Sequence, residues 1–115
     1  MALPLTDDTR QIFNAETFAI MKSGAHFVNV GRGELVDEES LVAALQSGHL
    51  AGAALDVFAT EPLPSDSPLW DMDNVIITPH SSSASAQSGL RSEEIFLKNL
   101  ARYVAGEPMV NEVNL

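Results

Sequence analysis

The sequence has no cysteine, a single tryptophan and a single tyrosine in 115 residues. Without thiols it has neither a disulfide framework nor a thiolate metal site, and its redox compartment is left open. Basic residues are scarce. Six Lys and Arg stand against 16 Asp and Glu, a formal charge of −10. That balance argues against nucleic acid or an anionic membrane as partner, because phosphate binding needs a basic footprint. No apolar run approaches the roughly 20 residues of a bilayer span. The first ten residues, MALPLTDDTR, carry no basic n-region and no apolar h-region, so no signal peptide is expected and the cytoplasm is the default compartment. The three histidines lack metal-ligand spacing, and none of the motifs Gly-x-Gly-x-x-Gly, Gly-x-Ser-x-Gly or a phosphate loop occurs.

What remains is 45% hydrophobic, ordinary for a globular chain, and its length suits one domain. Thr6 with Asp7 and Asp8 reads as a helix cap followed by acids. Asn14 is placed to cap a short helix, AETFAIMK, which Gly24 stops. AHFVNV (25–30) has the composition of a buried strand. Asp37 is placed to cap EESLVAALQS, with Leu41, Val42 and Leu45 facing inward and Gly48 just past the end. A second buried strand is expected over 50–58. Three prolines make 59–74 a loop, with Trp70 expected to bury itself against the sheet. NVIITPH gives a third strand, and 85–105 one long helix whose apolar face holds Leu90, Leu97, Leu100 and Val104. Strand–helix–strand at this spacing predicts a parallel crossover. Consecutive rather than alternating apolar strands predict a sheet covered on both faces, a three-layer α/β fold.

In open α/β sheets ligands bind beyond the carboxyl ends of the strands. There the sequence places Arg32, inside the turn Gly31-Arg32-Gly33, then Asp56 with Glu61 just beyond, then His80. Arg32 suits a small carboxylate, and His80 suits proton transfer with a carboxylate holding its tautomer. Taken singly, each residue also suits a plain structural use: a surface ion pair, a turn cap or a loop histidine. His26 and His49 read as structural, and the four methionines as core fillers or chain ends.

The order and spacing of LPLTDDTR, NVGRGELVDEESLVAAL, AGAALDVFATEPLP with SPLW, and NVIITPH resemble the D-isomer-specific 2-hydroxyacid dehydrogenases, the group of phosphoglycerate, glyoxylate/hydroxypyruvate and D-lactate enzymes. The likeness runs from Leu3 to about Val113. It implies a Rossmann-like NAD-binding domain over 1–115, corresponding to its C-terminal half plus the long helix. The glycine-rich phosphate-binding half and the substrate domain precede LPLT in the family. The resemblance implies hydride transfer between NADH or NADPH and a small 2-keto acid. Arg32 is then expected to bind the substrate carboxylate and carbonyl, His80 to act as general acid, and Glu61 to pair with it. Asp56 is expected to face the nicotinamide carboxamide, with Pro4, Thr9, Val30, Gly31 and Arg32 on the cofactor side. After His80, the residues Ser81, Ser82 and Ser83 stand where the family carries small residues near the nicotinamide, although SSS departs from its commoner Ile-Gly-Gly type. The resemblance also implies a homodimer. The isolated chain is expected to be inactive. A non-catalytic dinucleotide-binding or structural role is the alternative.

Overall fold

A computed structural model of the chain describes residues 1–85 and 87–112. They fall into two units, Met1–Ser82 and Ser83–Leu115.

The first unit is built on three parallel strands in the order β1 (Ala25–Asn29), β2 (Leu50–Leu55), β3 (Val75–Ile77). Two helices accompany them, α1 (Ala15–Ala19) and α2 (Glu38–Gln46). Asn14 caps α1 as expected, accepting from the amides of Glu16 and Thr17 at 3.1 and 3.2 Å, while Thr17 returns the bond to the Asn14 amide. At α2 the expected cap residue is Asp37, but its side chain accepts the Ser40 hydroxyl instead of a helix amide. The expected cap at Thr6 starts a hydrogen-bonded turn, not a helix. The Thr9 and Arg10 amides both reach the Thr6 carbonyl, and Gln11 then takes φ 49° and breaks the run.

Register decides which face is buried. Phe27 pairs with Ala53 and Asn29 with Leu55, and these two β2 residues pair in turn with Val75 and Ile77. This face carries the core, in which Phe27, Ala53 and Leu55 join Leu41, Ala44 and Leu45 of α2 and Phe18 of α1. The rings of Phe13, Phe18 and Phe27 meet pairwise at 5.0–5.9 Å, tilted or edge-on, as aromatic quadrupoles prefer. The opposite face, expected to be covered as well, holds His26, Val28, Ala54 and Ile76. Val28 is 47% and Ile76 66% exposed, because no helix of this unit lies over them. The residues obey a two-sided apolar pattern on a sheet that this unit covers from one side.

β2 is shorter than the apolar run that predicts it, and β3 is confined to the three apolar residues of NVIITPH. Asp56, Val57 and Phe58 continue beyond β2 as buried chain that leaves the ladder toward Glu61. The 59–74 segment is a loop as expected, with one 3₁₀ turn at Pro68–Asp71. Trp70 does not bury itself against the sheet. It is 51% exposed, and its indole N–H donates to the Pro64 carbonyl at 2.9 Å, which ties it to the loop.

The second unit holds α3 (Ser88–Ala105), which starts three residues later than expected and ends at Gly106 as expected. Its Asn99 side chain clasps Val110, donating to the carbonyl at 3.0 Å and accepting from the amide at 2.7 Å. No α3 residue is buried, so Leu90, Leu97, Leu100 and Val104 form an apolar face open to solvent.

Candidate functional site

The carboxyl ends of β1, β2 and β3 present the three loops that the sequence marks out. After β1, the Gly31-Arg32-Gly33 turn is folded around one buried side chain. Asn29 is 1% exposed; its Oδ1 accepts from the Gly31 amide and its Nδ2 donates to the Arg32 carbonyl, both at 3.0 Å. Arg32 stays extended and exposed, with one Nη1–H bond to the Gly31 carbonyl at 2.8 Å. A Cβ on Gly33 would stand 1.8 Å from the Phe58 carbonyl carbon, and one on Gly31 3.0 Å from the Leu3 carbonyl oxygen. Both therefore make room for this chain's own backbone.

After β2, Asp56 is buried and its carboxylate is filled from within the chain. The Thr78 hydroxyl and Ser81 amide donate to Oδ1 and the Ser82 amide to Oδ2, the amide bonds at 2.9 and 2.8 Å. These bonds, the Thr78 hydroxyl first, hold the Asp56 pKa far below the ordinary carboxylate range, although burial opposes them. Asp56 thus anchors the loop after β3, in which His80 adopts φ 49°, a left-handed conformation costly for a residue with a Cβ.

That loop carries the imidazole to Glu61. His80 Nδ1 lies 2.7 Å from Glu61 Oε2, and Glu61 Oε1 accepts the Phe58 amide at 3.0 Å. The Glu61 pKa is lowered, by the His80 bond first, then by the Phe58 amide, with small help from the charges of His80 and Arg32. With Nδ1 directed at the carboxylate, Nε2 is the ring nitrogen left to act. His80, Glu61 and Asp56 line one groove of about 630 Å³, whose remaining wall, Thr78 apart, is apolar and includes Phe58, Leu63 and Trp70.

Of the expected cofactor-side residues, Pro4, Val30, Gly31 and Arg32 line a second cleft of about 580 Å³. Thr9 is set behind it, donating its hydroxyl to the Pro4 carbonyl at 2.8 Å. Ser81 and Ser82 act through their amides on Asp56, and Ser83 belongs to the second unit. The residues of the site that the sequence did not mark for it are Asn29, Thr78 and Trp70. A polar residue at the end of an apolar strand was the signal available for the first two. Among the described residues no cluster of His, Asp or Glu suits a metal ion.

The Asp56 bonds set a pH dependence. A depressed carboxylate stabilises the fold fully above its ordinary value, about pH 3.9, and loses that contribution as pH falls toward the folded-state value. Thr78→Val removes the leading cause. It is expected to lower stability at neutral pH, with the deficit shrinking once Asp56 protonates in the parent chain. Urea denaturation at neutral and acid pH checks this; a deficit that persists unchanged into acid would contradict it.

The family model for the NAD binding domain of D-isomer specific 2-hydroxyacid dehydrogenases matches residues 1–82. Glyoxylate/hydroxypyruvate reductase B of Escherichia fergusonii is 46% identical over 114 residues, which cover 99% of this chain and 35% of that protein. A D-isomer specific 2-hydroxyacid dehydrogenase from Xanthobacter autotrophicus Py2, solved with NADPH and MES, superposes with TM-score 0.90 at 50% identity over 98% of this chain and 46% of that one. D-mandelate dehydrogenase of Rhodotorula graminis, in its apo form, gives TM-score 0.90 at 30% identity over 99% of this chain and 33% of that one. The chain spans about a third of the length of the curated relatives it matches.

Proposed function

Because the chain belongs to the D-isomer-specific 2-hydroxyacid dehydrogenase family, we propose that it supplies the catalytic side of a site where a small 2-keto acid is reduced to a 2-hydroxy acid with NADH or NADPH. The observation that carries this reading is the Glu61–His80 pair at 2.7 Å, with the free ring nitrogen available to a groove and Arg32 near enough to influence Glu61. Glu61 fixes the tautomer and balances the positive charge of the ring. His80 Nε2–H then protonates the keto oxygen as that oxygen gains charge. Arg32 offers a fork of donors to the substrate carboxylate, with geometry that a lysine does not reproduce.

The cleft beside Pro4, Val30 and Gly31 fits the nicotinamide side of the cofactor in kind: apart from Arg32, it is walled by backbone and small or apolar side chains. The dinucleotide supplies the hydride when bound. The structure with NADPH of the Xanthobacter relative supports this choice of cofactor. The family resemblance and the open outer edge of β3 support a homodimer, which light scattering on the chain tests; a monomeric mass would remove that part of the reading.

A graft tests the function. Residues 1–115 replace the matching third of the Escherichia fergusonii reductase, and oxidation of NADPH is followed with glyoxylate or hydroxypyruvate. The graft is expected to turn over, and the 115-residue chain alone is not. The chain's sequence has no glycine-rich pyrophosphate turn, and each missing charge-assisted bond is worth about 1.5–3 kcal/mol. A graft that folds and binds NADPH without keto-acid-dependent oxidation would overturn the proposal. Turnover by the chain alone would overturn the partition of the site.

A further inference from the structure

We infer that Asn29 is a positioning residue that sets the Arg32 loop against the frame from which Asp56 holds His80; the inference rests on the roles proposed above for Arg32 and His80. Asn29 closes β1, and its side chain points to the buried face, where the pattern of the strand calls for an apolar residue. A buried amide survives there only if its donor and acceptor are both used. They are, and both partners belong to the loop that carries Arg32: the Gly31 amide and the Arg32 carbonyl, each at 3.0 Å. The main-chain carbonyl of Asn29 accepts the Asp56 amide at 3.0 Å. One residue is therefore bonded to the loop of the substrate-binding cation and to the residue whose carboxylate fixes Ser81 and Ser82 beside His80.

The chemistry selects asparagine. Leucine matches its size and satisfies neither partner. Serine is too short to span both. Aspartate keeps an acceptor for the Gly31 amide but sets a carboxylate against the Arg32 carbonyl, which has no proton to offer. The two bonds also explain how an exposed arginine with a flexible stem departs from the strand end in one direction: the backbone on either side of its Cα is fixed before the side chain begins.

Backbone amide exchange of the ¹⁵N-labelled 115-residue chain, with the Arg32 Nε–H resonance, tests this without catalysis. In Asn29→Leu and Asn29→Ser the Gly31 amide is expected to exchange about tenfold faster or more, the loss of one net hydrogen bond. In Asn29→Asp it is expected to stay close to the parent, because the acceptor remains. The Arg32 resonance is expected to move in all three, while the Ser82 amide and the Leu41 and Leu45 amides of α2 stay near their parent rates. A uniform rise across the chain, an unchanged Gly31 amide in Asn29→Ser, or an unmoved Arg32 resonance would each overturn the inference. Failure of the functional reading shows separately, as an Arg32→Ala graft that keeps its turnover.

Discussion

Alanine at position 33 is expected to cost the chain about 3 kcal/mol or more, the upper part of the range for overpacking a close-packed interior. The cause is not a left-handed conformation. It is that the chain after β2 runs directly over this α-carbon. An added Cβ would lie 1.8 Å from the Phe58 carbonyl carbon, 2.0 Å from its oxygen and 2.3 Å from the Ala59 nitrogen. All three are backbone atoms, so no rotamer relieves the contact. Phe58 itself is buried and its amide feeds Glu61, so retreat of this segment loosens the acid that holds His80. Gly31→Ala is the control. Its nearest contacts are the Leu3 carbonyl oxygen at 3.0 Å and Leu35 Cδ1 at 3.2 Å, so a shift of a few tenths of an ångström suffices. Chemical denaturation of both variants checks the order. A Gly33→Ala chain as stable as its parent would show that the two segments do not cross in this way.

That crossing illustrates what the sequence makes legible. The Gly-Arg-Gly turn is visible as a turn, and its arginine as a candidate ligand, from residue type alone. Which atoms the glycines admit is a question of tertiary approach, and 25 positions separate Gly33 from Phe58. The strands are legible because apolar and β-branched runs between glycines leave little choice. Their ends are not, because Val57 and Phe58 stay apolar after pairing has stopped. The expectation that both sheet faces are covered fails within Met1–Ser82 for a related reason: residue type reports the environment a face is made for, and Val28 and Ile76 stand open there. Trp70 fails differently. A lone tryptophan suggests burial, but its N–H needs a partner, and the Pro64 carbonyl supplies one at the surface of the loop.

The candidate site was legible as a set of residues and not as a network. Arg32, Asp56, Glu61 and His80 stand at strand ends in the sequence as in the fold. Asn29 and Thr78 escaped because a single polar residue at the close of an apolar strand has many uses, and only coordinates show which carbonyl or carboxylate it meets. The same gap separates Asp56 as a ligand-facing acid from Asp56 as the anchor of a strained loop: the first is a matter of position, the second of three donors converging on one carboxylate.

In the grafted reductase, His80→Ala is expected to lower the rate of keto-acid reduction by about 10²–10⁴-fold, the ordinary contribution of a positioned general acid. NADPH affinity is expected to change little, since the ring nitrogen left free by Glu61 acts on the substrate oxygen. Glu61→Gln separates two functions of the carboxylate. In the parent, Oε2 meets His80 Nδ1 and Oε1 meets the Phe58 amide, so both oxygens face donors. Glutamine has one oxygen for the two donors, and its NH₂ group must confront the other. It therefore loses the negative charge and one of the two bonds that aim it. The rate is expected to fall toward that of His80→Ala. Steady-state rates for the three grafts check this. A Glu61→Gln graft with the parent's rate would show that the 2.7 Å pair is a surface contact and that the proton comes from elsewhere.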